Sequence, residues 1–394
     1  MADNLKPSGI GGQAVMEGVM MRNRTKYAVA VRKADGEVVL NVKEYHSITE
    51  KHKWLGVPFV RGAVNLVESL IVGMGTLMYS ANFADVEETR TEDRAEAPAA
   101  EAAAENAAAA AGTAETASGT AETATAATAE VKDAAAAEEK KTAMMTPAMI
   151  GATVALSLVL TVALFILLPF AVTSFIERVT GIDSAWFSSI LEGVLRIGIF
   201  VGYVVLISRM NEIQRVFRYH GAEHKTINCI EHGLPLTVEN ARASSKEHKR
   251  CGTSFMIFVM VVSILLFSIV NMFPLYTGSS QLLRFLVRFT VRILLLPVVA
   301  GISYEFLKLA GRSENKLVNI LSRPGMWMQA LTTKEPDDTM LAVAIASVEA
   351  VFDWKAFLAG TDAEECHTQT GVGEYLIESD GSYTPIVTGF INEK

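Results

Sequence analysis

Ser254 to Phe273 reads SFMIFVMVVSILLFSIVNMF, twenty residues with no charged side chain. At about 1.5 Å per residue this run covers the roughly 30 Å hydrocarbon core of a bilayer, which marks a transmembrane helix. The apolar character continues to Tyr276, and three further segments share it. Ala148 to Leu168 precedes Pro169, which is expected to kink or end its helix. Ile190 to Ser208 contains Glu192 and Arg196, a favourable i,i+4 pair. Phe285 to Leu307 contains Arg288, Arg292 and Glu305. The expected fold is therefore mainly α: a polytopic α-helical membrane protein with about four transmembrane helices in residues 144–310. Composition agrees, with 50% hydrophobic residues among 394 and a mean hydropathy of +0.29. A simple soluble enzyme is excluded.

Loop charge sets the expected topology. Residues 209–253, between the second and third segments, carry eight Lys or Arg, whereas 177–189 carry only Arg178 and 277–284 only Arg284. By the positive-inside rule the basic loop is expected to face the cytoplasm, and four crossings put both termini there. The formal net charge of −8 is local: residues 82–141 hold 14 acidic against 5 basic side chains, a net of −9, leaving the remainder near +1. Nucleic-acid binding has no charge support. The expected partners are the lipid bilayer and, for so few helices, a homo-oligomer. Three widely spaced cysteines, Cys229, Cys251 and Cys366, suit a reducing compartment, and the first 30 residues hold no signal-peptide run.

Outside the membrane region, residues 1–54 read as a glycine-rich stretch, Gly9 to Arg22, followed by a small β-hairpin. Tyr27 to Val31 and Val38 to Val42 flank a turn at Asp35-Gly36. The glycine-rich stretch lacks the Lys-Ser/Thr ending of a phosphate loop and is better read as a turn that packs closely. In 55–84, Arg61, Asn65 and Glu68 share one helical face, which fits an interfacial or re-entrant helix better than a span. Residues 85–143 read as a disordered acidic, Ala-rich linker. In 311–360, Pro336-Asp337-Asp338 opens a cytoplasmic helix reaching toward Phe352, and 361–394 reads as a flexible tail.

Chemistry concentrates in the basic loop, in Arg218-Tyr219-His220-Gly221-Ala222-Glu223-His224-Lys225. His-x-x-Glu-His is the inverted zincin pattern. On a helix, i and i+4 side chains share a face, so the His220 and His224 imidazoles can reach one divalent ion, most simply zinc. Glu223 is the candidate general base. His248 and Cys251 form His-x-x-Cys before the third segment and are candidate further ligands, as is Glu305 at the cytoplasmic end of its segment; Glu239 is a weaker one. Glu231 lies too far along the helix to share the ion. The bland alternatives are a solvated helix with Glu223 paired to Lys225 or Arg218, an inert thiol at Cys251, and a salt bridge from Glu305 to Arg196, Arg288 or Arg292.

Together the strings Gly11 to Arg22, Tyr219 to Lys225, Leu236 to Arg242, Arg250 to Phe255, Gly301 to Glu305 and Thr332 to Asp338 resemble the YqhQ family of bacterial membrane proteins. The resemblance covers about residues 9–84 and 145–352. It implies a domain of unknown function described as a predicted metal-dependent membrane enzyme. It draws attention to Glu17, His220, Glu223, His224, Glu239, Cys251 and Glu305. The leading expectation is a metal-dependent hydrolase at the cytoplasmic membrane face. The rivals are a non-enzymatic scaffold or assembly factor, its structural metal held by His220, His224, His248 and Cys251, and a small transporter using Glu17, Glu192 and Glu305.

Overall fold

A computed structural model of the chain describes residues 7–96, 147–182, 184–271, 273, 281–311, 315–368, 370–378 and 382–386. The runs flanking Asp35-Gly36 pair as expected. Strands β3 (Lys26–Arg32) and β4 (Val38–Glu44) form an antiparallel hairpin in which Val31 pairs with Val39 and Tyr27 with Lys43. Gly36, at φ +90°, donates its N–H to the Lys33 carbonyl across the turn, a backbone conformation that a Cβ would strain.

The glycine-rich stretch forms a second hairpin, β1 (Gly11–Val15) and β2 (Gly18–Asn23), turning at Met16-Glu17. It packs as closely as its composition suggests: a Cβ on Gly18 would overlap the Ala30 carbonyl oxygen of β3. The segment read as a flexible tail contributes β5 (Gly373–Ile377), which pairs with β4 through Leu40 and Tyr375, and β6 (Tyr383–Pro385). Residues 387–394 of that segment lie outside the described residues. The result is a six-stranded antiparallel meander in the order β1-β2-β3-β4-β5-β6.

Side chains alternate across this sheet, so it has two apolar faces. One buries Val19, Met21, Ala28, Ala30, Leu40 and Val42 against two helices, Asn211–Glu231 and Asp338–Glu349. The other buries Val15, Met20, Val29 and Val31 against Val72, Tyr79 and Phe83 of helix Val60–Glu96. Full burial of each valine, leucine or methionine among them contributes roughly 1.5–3 kcal/mol. Helix Asp338–Glu349 begins where the Pro-Asp-Asp signal put it: Asp337 caps it by accepting from the Met340 N–H at 2.9 Å.

Among the described residues, five helical stretches are long and apolar enough to cross a membrane: Val60–Phe83, Ala155–Thr180, Trp186–Ile207, Gly252–Val270 and Phe289–Ala310. The last four match the expected segments, and the first falls in the stretch read as interfacial or re-entrant. Pro169 does not end its helix. A π turn, Ala163–Leu167, precedes Leu168–Thr180, and such a turn absorbs the missing proline N–H within a continuous helix. Helix Val60–Glu96 enters the first part of the stretch read as a linker, and residues 97–146 lie outside the described residues. Among the membrane helices, Glu192 accepts from Arg196 at 2.8 Å, the pair predicted from spacing, and also from both terminal nitrogens of Arg292 at 2.7 and 2.9 Å.

Candidate metal centre

From Tyr219 to Glu231 the histidine helix is buried on all sides, except for a partly exposed His220. A solvated amphipathic helix is thereby ruled out. Lys225 does not pair with Glu223. Its ammonium donates to the Arg242 and Ser244 carbonyls at 2.8 and 3.0 Å and meets Glu335 at 3.0 Å. Gly221 lets the chain at Lys334 approach so closely that a Cβ would collide with the Lys334 carbonyl oxygen. That approach brings the Thr332 carbonyl over His220.

The two imidazoles are oriented alike. His220 Nδ1 lies 2.8 Å from the Thr332 carbonyl oxygen, and His224 Nδ1 lies 2.6 Å from that of Lys246. A carbonyl can only accept, so each Nδ1 carries a proton and each Nε2 is the ring nitrogen turned toward the other partners of the cluster. The rings sit 4.4 Å apart between centroids. His220 Nε2 lies 3.2 Å from Cys251 Sγ, and His224 Nε2 is buried with no hydrogen-bond partner. Donor atoms of His220, His224 and Cys251 all lie within 4.8 Å of one another.

These residues fit a divalent metal. An orphaned, fully buried ring nitrogen is costly unless something binds it. Two imidazoles whose second nitrogen is anchored to a backbone carbonyl, with one thiol, form a zinc-type donor set complete with its orienting contacts. Burial pushes the Cys251 thiol up, but the imidazoles of His220 and His224 hold it well below the ordinary thiol range. Burial pushes His220 down, and the Cys251 sulfur, Glu223 and the Thr332 carbonyl outweigh it, raising the imidazole to about 9. This polarisation gives Cys251 thiolate character, the form that ligates metals.

Glu223 is buried beside the three donors, and its burial raises the carboxyl while the two imidazoles oppose the rise. Strand β1 covers it: a Cβ on Gly12 would come 2.7 Å from its Cγ, Cδ and Oε1. That contact explains Gly12, though not Gly11, whose Cβ would meet nothing, and it was not readable from the helix alone.

Two expected ligands lie elsewhere. His248 has its Nε2 3.5 Å from Glu231 Oε2, with its ring 5.7 Å from that of His224, because the turn before helix Gly252–Asn271 aims it toward the far end of the histidine helix. Glu231 is itself held by Arg250 and by the N–H and hydroxyl of Ser8, at 2.8 and 2.7 Å. Glu305 accepts from Arg61 Nε and Nη2, both at 2.6 Å, in place of the expected Arg196, Arg288 or Arg292, and it lies outside the His/Cys cluster. Glu239 lies in the first turn of Val238–Ala243, outside the cluster. Glu17, at φ +51°, binds Arg215 and pins the β1–β2 turn to the histidine helix.

Fold and site together define a class: polytopic α-helical membrane proteins carrying a six-stranded sheet and a helix-borne His/Cys cluster. The chain belongs to the family described as protein of unknown function DUF1385, whose profile matches residues 57–354. It is 30% identical over 353 residues to the uncharacterized protein YqhQ of Bacillus subtilis (strain 168), a similarity that covers 88% of this chain and 93% of that relative. No solved structure matches.

Proposed function

We propose that the chain is a metal-dependent hydrolase of the bacterial cytoplasmic membrane, with zinc held by His220, His224 and Cys251 on the cytoplasmic side and both termini on that side. One observation carries the reading. Two carbonyl-anchored imidazoles and a thiol converge while a buried ring nitrogen is left without a partner. Three protein donors leave a coordination position open, as catalytic zinc sites do and closed structural sites do not. The ion would supply Lewis-acid polarisation of a substrate oxygen. Glu223, adjacent to His224 and held dry by Gly12, is the group that accepts a proton from the attacking water and returns it to the leaving group.

A second reading, a scaffold or assembly factor with a structural metal, is favoured by burial, since Cys251 is only 5% exposed and His224 1%. Against it stands His248, the fourth ligand a closed site would need, which is engaged by Glu231.

The test is a Glu223→Gln variant in membrane vesicles, assayed for metal content and for cleavage of peptide, ester and phosphoester panels. The hydrolase keeps its metal and loses about 10²–10⁴-fold in rate. A scaffold shows wild-type metal content and no cleavage by either protein.

A further inference from the structure

Helix Val60–Glu96 has the composition of a membrane span over Val60–Phe83, yet both ends of that stretch are tied to the side of the protein that holds the histidine helix. Near its start, Arg61 binds Glu305, Asn65 Nδ2 donates to the Tyr304 hydroxyl at 2.9 Å, and a Cβ on Gly62 would come 2.8 Å from the Gly301 Cα. These partners occupy the final turns of Gln281–Ala310, the end that leads toward Lys316–Thr332 and the Thr332 carbonyl on His220. Toward its other end, Val72, Tyr79 and Phe83 pack on the sheet. Ser80 Oγ accepts from the Met16 N–H at 3.1 Å, and Tyr79 donates to Glu374 at 2.9 Å. The opposite face of the sheet lies on the histidine helix. A helix anchored at both ends to one side of a bilayer does not pass through it.

The polar face read from the sequence is covered by protein: Arg61 by Glu305, Asn65 by Tyr304, and Glu68 by the Tyr45 hydroxyl at 2.6 Å and by Ser47. What points outward is Val67, Leu70, Ile71, Met74, Leu77 and Met78, an apolar stripe at i, i+3, i+4 and i+7 spacing, with Leu70 62% and Ile71 65% exposed. The helix that carries the stripe is joined at Arg61–Glu305 to Phe289–Ala310, a stretch long and apolar enough to cross the bilayer, so the natural occupant of the stripe is lipid. Exposed Trp54 and Phe59 just ahead of the helix suit the membrane–water boundary.

We propose that Val60–Phe83 lies along the cytoplasmic face of the membrane as a monotopic helix, with its Val67–Met78 stripe seated in lipid and its opposite face carrying the sheet. The chain then crosses the bilayer four times. This holds whether or not the His/Cys cluster binds a metal.

Single cysteines at Asp35, Glu212 and Ile182 in the full-length chain, treated with a membrane-impermeant maleimide, test the sidedness against the unsubstituted protein, whose three cysteines are buried. Asp35→Cys and Glu212→Cys are expected to label only in inside-out vesicles, and Ile182→Cys only in intact cells. Labelling of Asp35→Cys and Glu212→Cys from opposite sides overturns the proposal. Ala34→Cys, exposed in the same turn, serves if Asp35→Cys does not accumulate. An environment-sensitive fluorophore on Ile71→Cys, in phosphatidylcholine–phosphatidylglycerol vesicles, is expected to be quenched more by shallow than by deep spin-labelled lipids. Stronger quenching from the deep position, or none from either, contradicts it.

Discussion

His220 and Cys251, 31 residues apart in the chain, meet at 3.2 Å between Nε2 and Sγ. The histidine comes from the middle of a buried helix and the cysteine from the residue before a membrane helix, so the cluster joins the extramembrane and membrane parts. Cys251→Ser and His224→Ala should each lower zinc affinity by more than the roughly 10–100-fold that outer contacts of a metal site carry. Elemental analysis of purified variants checks this. Glu305→Gln and Glu239→Gln should retain wild-type metal.

Gly12 is held in place by Glu223. With a Cβ only 2.7 Å from the carboxylate, Gly12→Ala must push back β1 or displace Glu223, an overpacking cost of about 1–3 kcal/mol. Gly11→Ala, whose Cβ would meet nothing within 4 Å, should be near neutral. Thermal denaturation in detergent distinguishes the two, and equal melting points would contradict the packing described.

The Glu231 carboxyl is raised by burial but driven down further by His248, Arg250 and Ser8, to about 2. A depressed acid stabilises the fold above its unfolded value of 4.5, and the contribution disappears as pH falls from there toward 2. A shift of this size corresponds to roughly 3 kcal/mol. The gap in melting temperature between wild type and Glu231→Gln should therefore be largest at pH 6–7, within roughly the plateau above the ordinary carboxylate range, and narrow below about pH 4.5. A gap independent of pH would show that Glu231 acts through shape rather than charge.

Arg61 and Glu305 form a two-pronged pair with side chains 27% and 22% exposed. A double-mutant cycle with Arg61→Met and Glu305→Gln should give a coupling of about 1 kcal/mol, within the range for residues in contact. Metal content should be unchanged throughout. Loss of metal in Glu305→Gln would return this carboxylate to the cluster.

The membrane helices were readable because each is a long apolar run whose neighbours hardly influence it. The histidine pair was readable because i,i+4 spacing is a property of one helix. Residues that depend on long-range pairing were harder to assign. Glu305 finds Arg61, 244 residues away, and no local pattern announces it. His248 and Cys251 share a short motif, yet the turn between them sends one to Glu231 and the other to His220. Strands β5 and β6 are short and at most partly buried, so the pairing of β5 with β4 and of β6 with β5 left no periodicity to detect. The anchoring carbonyls of Thr332 and Lys246 are backbone groups, to which side-chain identity gives no clue.

The central claim is that His220, His224 and Cys251 jointly hold one metal ion. X-ray absorption at the zinc edge of the purified, zinc-replete full-length protein tests it most directly. One sulfur at about 2.3 Å with two imidazole nitrogens at about 2.0–2.1 Å is the expected first shell. A folded protein that retains no zinc, or a zinc shell without sulfur, would contradict it.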